Sequence, residues 1–270
     1  MNPTGIEYLD YTWNPTHGCT PVSPGCAGCW AKRTAETRLR GRCGYPANRP
    51  FSVVVCDADR LAEPLRVKTP ARIGVSFMGD LFHPAVPFAF MKTVFTVMRA
   101  CPKHTFMLLT KRPGRMAYFA NIYWPAAGSM GKEPAVWPFN VWAGTSVESQ
   151  KYAPRLDVLA RVPAAVRFVS AEPLLEPLDL LPWLPDPHHD RCLAWDVPGH
   201  SHGGVLDWVI AGCESGPKRR PFREDWVRSL RDQCQAGGIP LFYKQGVPDG
   251  STKVVHLPLL DGVQHREAPA

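Results

Sequence analysis

A chain of 270 residues, 45% apolar and 20% charged, can bury a full core and is neither fibrous nor disordered in composition. No stretch reaches the apolar length of a membrane span, and MNPTGIEYLDYTWNP lacks the basic start and apolar run of an export signal, so a cytoplasmic protein is expected. The net charge of +7 permits an anionic partner without specifying one.

Short apolar runs rich in β-branched residues alternate with longer amphipathic stretches, the pattern of βαβ units and a parallel sheet. In chain order, strands are predicted at 11–14, 52–56, 73–77, 105–110, 141–145, 166–170, 208–211 and 241–244. Helices are predicted at 29–40, 87–100, 114–121, 150–161 and 223–236. Eight such units in this length match a single α/β barrel of (β/α)8 type, closed or incompletely closed, with a doubly wound open sheet as the alternative. One domain over 1–246 is expected, then a tail at 247–270 with at most a short docking strand at 254–257. Within the domain, 184–205 reads as an inserted surface loop. Its His188, His189, Cys192, His200 and His202 match no established metal-finger spacing. A second excursion is expected at 130–138.

The densest chemical signal lies just after the first predicted strand, in HGCTPVSPGCAGCWAKR. Six residues rich in Pro and Ser separate Cys19 from Cys26, and only Ala27 and Gly28 separate Cys26 from Cys29, so the segment suits a loop wrapped round a compact object. Three thiolates on a four-iron four-sulfur cube leave one iron open to an exogenous ligand. A zinc site would need a fourth ligand, which His17 is placed to supply, and three unrelated loop cysteines are the remaining reading. Nine cysteines without a secretion signal read as reduced thiols and metal ligands, not as a disulfide framework. Cys56, Cys101, Cys192, Cys213 and Cys234 read as packing or surface residues, with Cys43 a spare candidate near the loop.

Several predicted strands end in polar residues just before a helix, at 77–83, 109–113, 144–149, 170–177, 211–216 and 243–245. In a parallel barrel these ends share one face, where active sites are assembled. That face would collect Asp80, Lys111, Arg112, Ser146, Glu148, Glu172, Glu214, Ser215, Lys244 and Gln245. Any one of them alone reads as a helix cap or a surface ion pair; six polar endings in register point to a site. Two basic runs, 32–42 and 217–223, adjoin these motifs, with a solvated face as the plain reading of each.

The cysteine loop after a first strand, followed by βα units, resembles the radical S-adenosylmethionine superfamily. More closely, TWNPTHGCTPVSPGCAGCWAKR, FMGDLFHPAVP, HTFMLLTKRPGRM, NVWAGTSVES, VRFVSAEPLLEPL, DWVIAGCESGPKRRPF and PLFYKQ are similar, in that order, to an uncharacterised phage and prophage family carrying a domain of unknown function. The resemblance implies a 4Fe-4S cluster on Cys19, Cys26 and Cys29, with S-adenosylmethionine chelating the open iron. It implies cofactor binding by Met78, Gly79 and Asp80; of the strand-end residues, Ser146, Glu148 and Ser170 are further candidates for the cofactor, Lys111, Arg112 and Lys244 are candidates to neutralise a phosphate or carboxylate, and Glu172 and Glu214 to bind the cofactor's ribose or amine or to relay a proton. Phe77, Trp142 and Tyr243 are candidates to stack on adenine, against a plain core role. Three departures stand out. The superfamily has three residues where this chain has six between its first two cysteines; Gly28 stands where an aromatic precedes the last cysteine; and Cys213 replaces a glycine of the phage-family pattern.

Two function classes follow. One is an iron–sulfur enzyme that reductively cleaves S-adenosylmethionine to take hydrogen from a substrate, with a flavodoxin- or ferredoxin-like electron donor and a nucleic acid or nucleotide as the substrate class, in a host cytoplasm if phage-encoded. The other is a non-catalytic nucleic-acid-binding protein whose loop holds a structural zinc. No recognition-helix or RNA-binding signature is present, so the chain offers charge without a sequence reader.

Overall fold

A computed structural model describes residues 1–42, 44–128, 135–185, 204–216 and 218–269, so Cys43 and the histidines and Cys192 of the expected insertion lie outside the described residues. The chain divides into two compact units, Met1–Ala143 and Gly144–Ala270.

In the first unit β1 (Tyr11–Trp13), β2 (Arg72–Val75) and β3 (Thr105–Thr110) pair in parallel, Tyr11 opposite Ile73 and Arg72 opposite Thr105. Asn2–Pro3 adds an antiparallel edge to β1. The strand β4 (Val141–Ser146) carries the chain into the second unit. There β5 (Arg167–Ala171), β6 (Trp208–Gly212) and β7 (Leu241–Gly246) pair in parallel, and Val255–His256 lies antiparallel on β7. Strand order follows chain order. The fold is therefore mixed α/β with a mostly parallel sheet, of the incompletely closed (β/α) barrel type.

Every residue of β4, β5 and β6 is buried, so these strands show no alternation of inward and outward residues. The helices are α1 (Trp30–Glu36), α2 (Phe88–Arg99), α3 (Pro113–Tyr118), α4 (Trp124–Gly128), α5 (Arg155–Leu159) and α6 (Glu224–Ala236). Helix α2 buries Met91, Val94, Phe95 and Met98, the spacing of one helical face. Phe95 packs within 4.7–5.4 Å of the rings of Phe119, Trp124 and Trp137, the aromatic centre of the first unit's core. Helix α1 ends four residues before its predicted limit: the Thr37 hydroxyl turns back to donate to the Arg33 carbonyl, and Gly41 takes a left-handed φ of 76°.

The predicted strand at 52–56 is not part of the main sheet. Only Val55–Cys56 is extended, pairing antiparallel with Thr16–His17 in a separate two-stranded sheet. Its β-branched composition suggested a core strand, yet Val53 is 45% exposed and the segment instead braces the cysteine loop. The tail carries more structure than expected. Beyond Val255–His256, a hairpin joins Leu259–Leu260 to Val263–Gln264, Phe242 bridges Arg266, and the Trp208 indole donates to the Glu267 carbonyl (2.8 Å). These contacts cover the outer edge of β7, which would otherwise offer unpaired backbone groups. Among the described residues, no helix is long and apolar enough to cross a membrane.

Candidate metal centre

The cysteine loop belongs to the first unit and is fastened by two glycines. Gly18 takes φ +83°, donates its N–H to the Met78 carbonyl (3.0 Å) and forms a parallel bridge with Gly79. A Cβ on Gly18 would lie 2.2 Å from the Val53 carbonyl oxygen. On Gly79 it would lie 2.9 Å from the Gly18 oxygen and the His17 Cα. Both positions therefore need glycine for room, and Gly18 for its dihedral as well. The Cys19 N–H then donates to the Phe51 carbonyl (2.9 Å). Cys26 closes a 3-10 turn at Pro24–Cys26, and Cys29 caps α1, its sulfur accepting the Lys32 N–H at 3.5 Å.

All three thiols are free and partly exposed. Cys19 and Cys29 pack on one apolar cluster of Ala31, Ala35, Tyr45, Phe51 and Met78. Beside Cys19 lies a polar web. The Arg112 guanidinium donates through Nη1 to Asp80 Oδ2 (2.7 Å) and to Cys19 Sγ (3.4 Å), and through Nη2 to the Thr20 carbonyl (2.8 Å). Thr110 Oγ1 donates to the Asp80 carboxylate (2.8 Å to Oδ1), which also accepts the Phe82 N–H (2.9 Å). His83 Nδ1 accepts the Ala85 N–H, so the proton sits on Nε2, which donates to Thr20 Oγ1 (2.8 Å). Burial first, then the Asp80 charge, pushes the Cys19 thiol up, and Arg112 pulls it back down. Burial holds the His83 imidazole below its ordinary range.

The three cysteines share one loop but do not form a clear cluster-binding group. Cys26 lies within electrostatic range of Cys19, and Cys29 shares its packing cluster. Yet among the described residues no three His, Cys, Asp or Glu side chains close on one metal ion, and His17, the expected fourth zinc ligand, stacks on Tyr45 at 4.8 Å.

The other expected site residues divide by unit. In the first, Met78 is buried in the cysteine loop's packing cluster, Gly79 makes room for the loop, and Asp80 is saturated by Thr110, Phe82 and Arg112. Lys111 is half-buried. In the second, the expected residues stand at or just beyond the strand ends. Fully buried Glu148 pairs with Arg155 (2.9 Å), and Ser146 is buried at the end of β4. Glu172 accepts from Lys244 Nζ (3.0 Å) and from Ser170 Oγ (3.4 Å), and Gly212 leaves it room, since a Cβ there would sit 2.5 Å from its Oε1. Glu214 is clasped by Arg220, which also gives it a backbone N–H at 2.8 Å. Ser215 is exposed; Gln245 is buried against the Cys213 carbonyl.

Lys244 and Arg112, candidates to neutralise a ligand's phosphate or carboxylate, are thus already paired with the protein's own carboxylates. Cys213 is buried, its thiol raised to about 11 by desolvation, and its φ is not positive, so the turn does not need the glycine of the phage-family pattern. Trp142 and Tyr243 are core residues, with the Tyr243 hydroxyl donating to Glu224 (3.4 Å). Sequence reasoning missed Thr20, His83 and Thr110, although Thr110 stands directly before the Lys111–Arg112 pair that drew notice.

The Glu214–Arg220 pair sets a pH dependence. Hydrogen bonds from Arg220 hold the Glu214 carboxyl below the ordinary glutamate range. The pair therefore stabilises the fold fully above that range, and the contribution disappears as pH falls through the depressed value. Glu214→Gln is expected to lose less stability than wild type on acidification through this window, read as urea midpoints at neutral and acid pH. Parallel midpoint curves would refute it.

The chain matches the family described as "Protein of unknown function (DUF5131)" over residues 3–269. None of the curated proteins matches it. Among solved structures, a mutant of spore photoproduct lyase is similar with a TM-score of 0.45 at 11% identity, covering 94% of this chain and 70% of that one.

Proposed function

We propose, from the premise that this chain belongs to the DUF5131 family, that it is an iron–sulfur enzyme of the radical S-adenosylmethionine type. Cys19, Cys26 and Cys29 are the proposed ligands of a 4Fe-4S cluster. The observation that carries the reading is a set of three free, partly exposed thiols on one loop anchored by Gly18 and Gly79, with Arg112 aimed at a sulfur. When bound, the cluster supplies the electron that cleaves S-adenosylmethionine, the chemistry by which such enzymes take hydrogen from a substrate.

The chain's own residues hold and insulate that centre. Arg112 neutralises Asp80 and ties the Thr20 backbone, and the apolar cluster around Met78 and Phe51 packs against one side of Cys19 and Cys29. In the second unit, Glu172, Glu214 and Lys244 at the strand ends are the proposed contacts for polar groups of a ligand. A cytoplasmic location and a flavodoxin- or ferredoxin-like donor belong to the same reading, because free thiols and a reducible cluster need a reducing compartment.

Nucleic acid or a nucleotide is the proposed partner class. Of the two basic runs, the second is partly compensated: Arg220 pairs with Glu214 and Arg223 with Asp225, and Arg219 bonds the Thr252 carbonyl. The first is not. Lys32, Arg33, Arg38, Arg40 and Arg42 are exposed, with no ion pair among the described residues. Binding of a labelled single-stranded oligonucleotide is expected to weaken steeply between about 50 and 200 mM salt and to fall at least about tenfold in R38E/R40E/R42E. No binding at the lower salt would remove this partner class.

The decisive experiment is anaerobic reconstitution. A brown protein that releases 5′-deoxyadenosine with reductant and S-adenosylmethionine supports the enzyme. A colourless protein with one tightly held zinc overturns it in favour of a structural metal loop.

A further inference from the structure

We infer that Arg112 is a positioning residue for the metal centre, which fixes Cys19 in place and tunes the cluster through a hydrogen bond to its sulfur. The inference rests on the cluster reading above and goes beyond it, because the strand-end position of Arg112 made it a candidate to neutralise a ligand's phosphate or carboxylate. The geometry points elsewhere. One guanidinium joins Cys19 Sγ (3.4 Å), the Thr20 carbonyl (2.8 Å) and Asp80 Oδ2 (2.7 Å), leaving little of its donor capacity for a ligand.

Each anchor is fixed in turn: Asp80 by Thr110 Oγ1 and the Phe82 N–H, and Thr20 by His83. The Arg112 N–H also donates to Thr110 Oγ1 (2.9 Å), so the strand that ends in Thr110 delivers the side chain and holds its counter-ion. With 11% of its side chain exposed, Arg112 acts in a partly water-excluded setting, where a charge-assisted hydrogen bond is strengthened.

A donor on a cluster cysteine withdraws charge from the sulfur and favours the reduced, more negative cluster. Lysine cannot reproduce the effect, because a point charge cannot reach sulfur, carbonyl and carboxylate together as a planar fork does.

The test is the midpoint potential of the reconstituted full-length protein, by redox titration with electron paramagnetic resonance, alongside iron content and melting temperature. Arg112→Met is expected to bind iron about 10–100-fold more weakly than wild type and, once loaded with iron in excess, to be reduced about tenfold less favourably, a shift of about 59 mV to more negative potential for one electron. Arg112→Lys is expected to fall between. Arg112→Met leaves Asp80 buried without its counter-ion and so strains the fold. The double variant D80N/R112M removes both charges and should melt near wild type while keeping the shifted midpoint. Wild-type midpoints in both Arg112→Met and the double variant would overturn the role of Arg112 alone. A wild-type protein that takes up no iron would overturn the cluster reading beneath it.

Discussion

Serine at Cys19, at Cys26 or at Cys29 is expected to abolish iron loading and the broad visible absorption, each change alone sufficing. The three thiolates are the protein's whole proposed claim on the cluster. The fall should exceed the roughly 10–100-fold that loss of a supporting contact brings to a metal site. Cys101 and Cys234 supply the control. Both are buried, and desolvation raises the Cys234 thiol to about 12, which keeps it protonated and inert. Alanine at either should leave iron content unchanged and remove about 1 kcal/mol of stability through a small cavity. Iron analysis after anaerobic reconstitution decides the matter, and wild-type iron in all three serine variants would sink the ligand assignment.

Gly18→Ala is expected to damage both stability and iron uptake. A left-handed dihedral costs an alanine about 1–2 kcal/mol wherever it occurs. Gly250 measures that part by itself, since it has φ +77° and an added Cβ there would meet nothing within 4 Å. Gly18 has the same dihedral class and a carbonyl oxygen 2.2 Å from the added carbon, so its loop must shift, and the Cys19 bond to Phe51 goes with it. The expected loss is about 2–4 kcal/mol for Gly18→Ala. Urea denaturation and iron content together should separate the two variants, with Gly250→Ala loading iron normally. Equal behaviour would show that the loop tolerates movement at this hinge.

The two variants differ in what a reader of the chain can see. The spacing of Cys19, Cys26 and Cys29, and the small residues around them, announce a loop and its chemistry because they are neighbours in sequence. The demand for glycine at position 18 is invisible there, since it comes from the Val53 carbonyl reaching in from a segment whose composition suggested a core strand.

Local pattern was enough for the parallel α/β class, for seven of the eight predicted strands and for the helix at α2. Periodicity, β-branching and turn chemistry act between residues a few positions apart, so the chain displays them directly. Charge partners are different. Arg112 lies 93 residues from the sulfur it reaches, and Lys244 lies 72 from Glu172. Two polar strand ends with the same composition can end as a free site or a closed ion pair, and only the register and order of the strands determine which. The sequence by itself determined the class of fold and the three thiols. Tertiary structure alone decided that Arg112 neutralises Asp80 and that Lys244 neutralises Glu172, because Coulomb attraction depends on distance in space and the chain records only distance along itself.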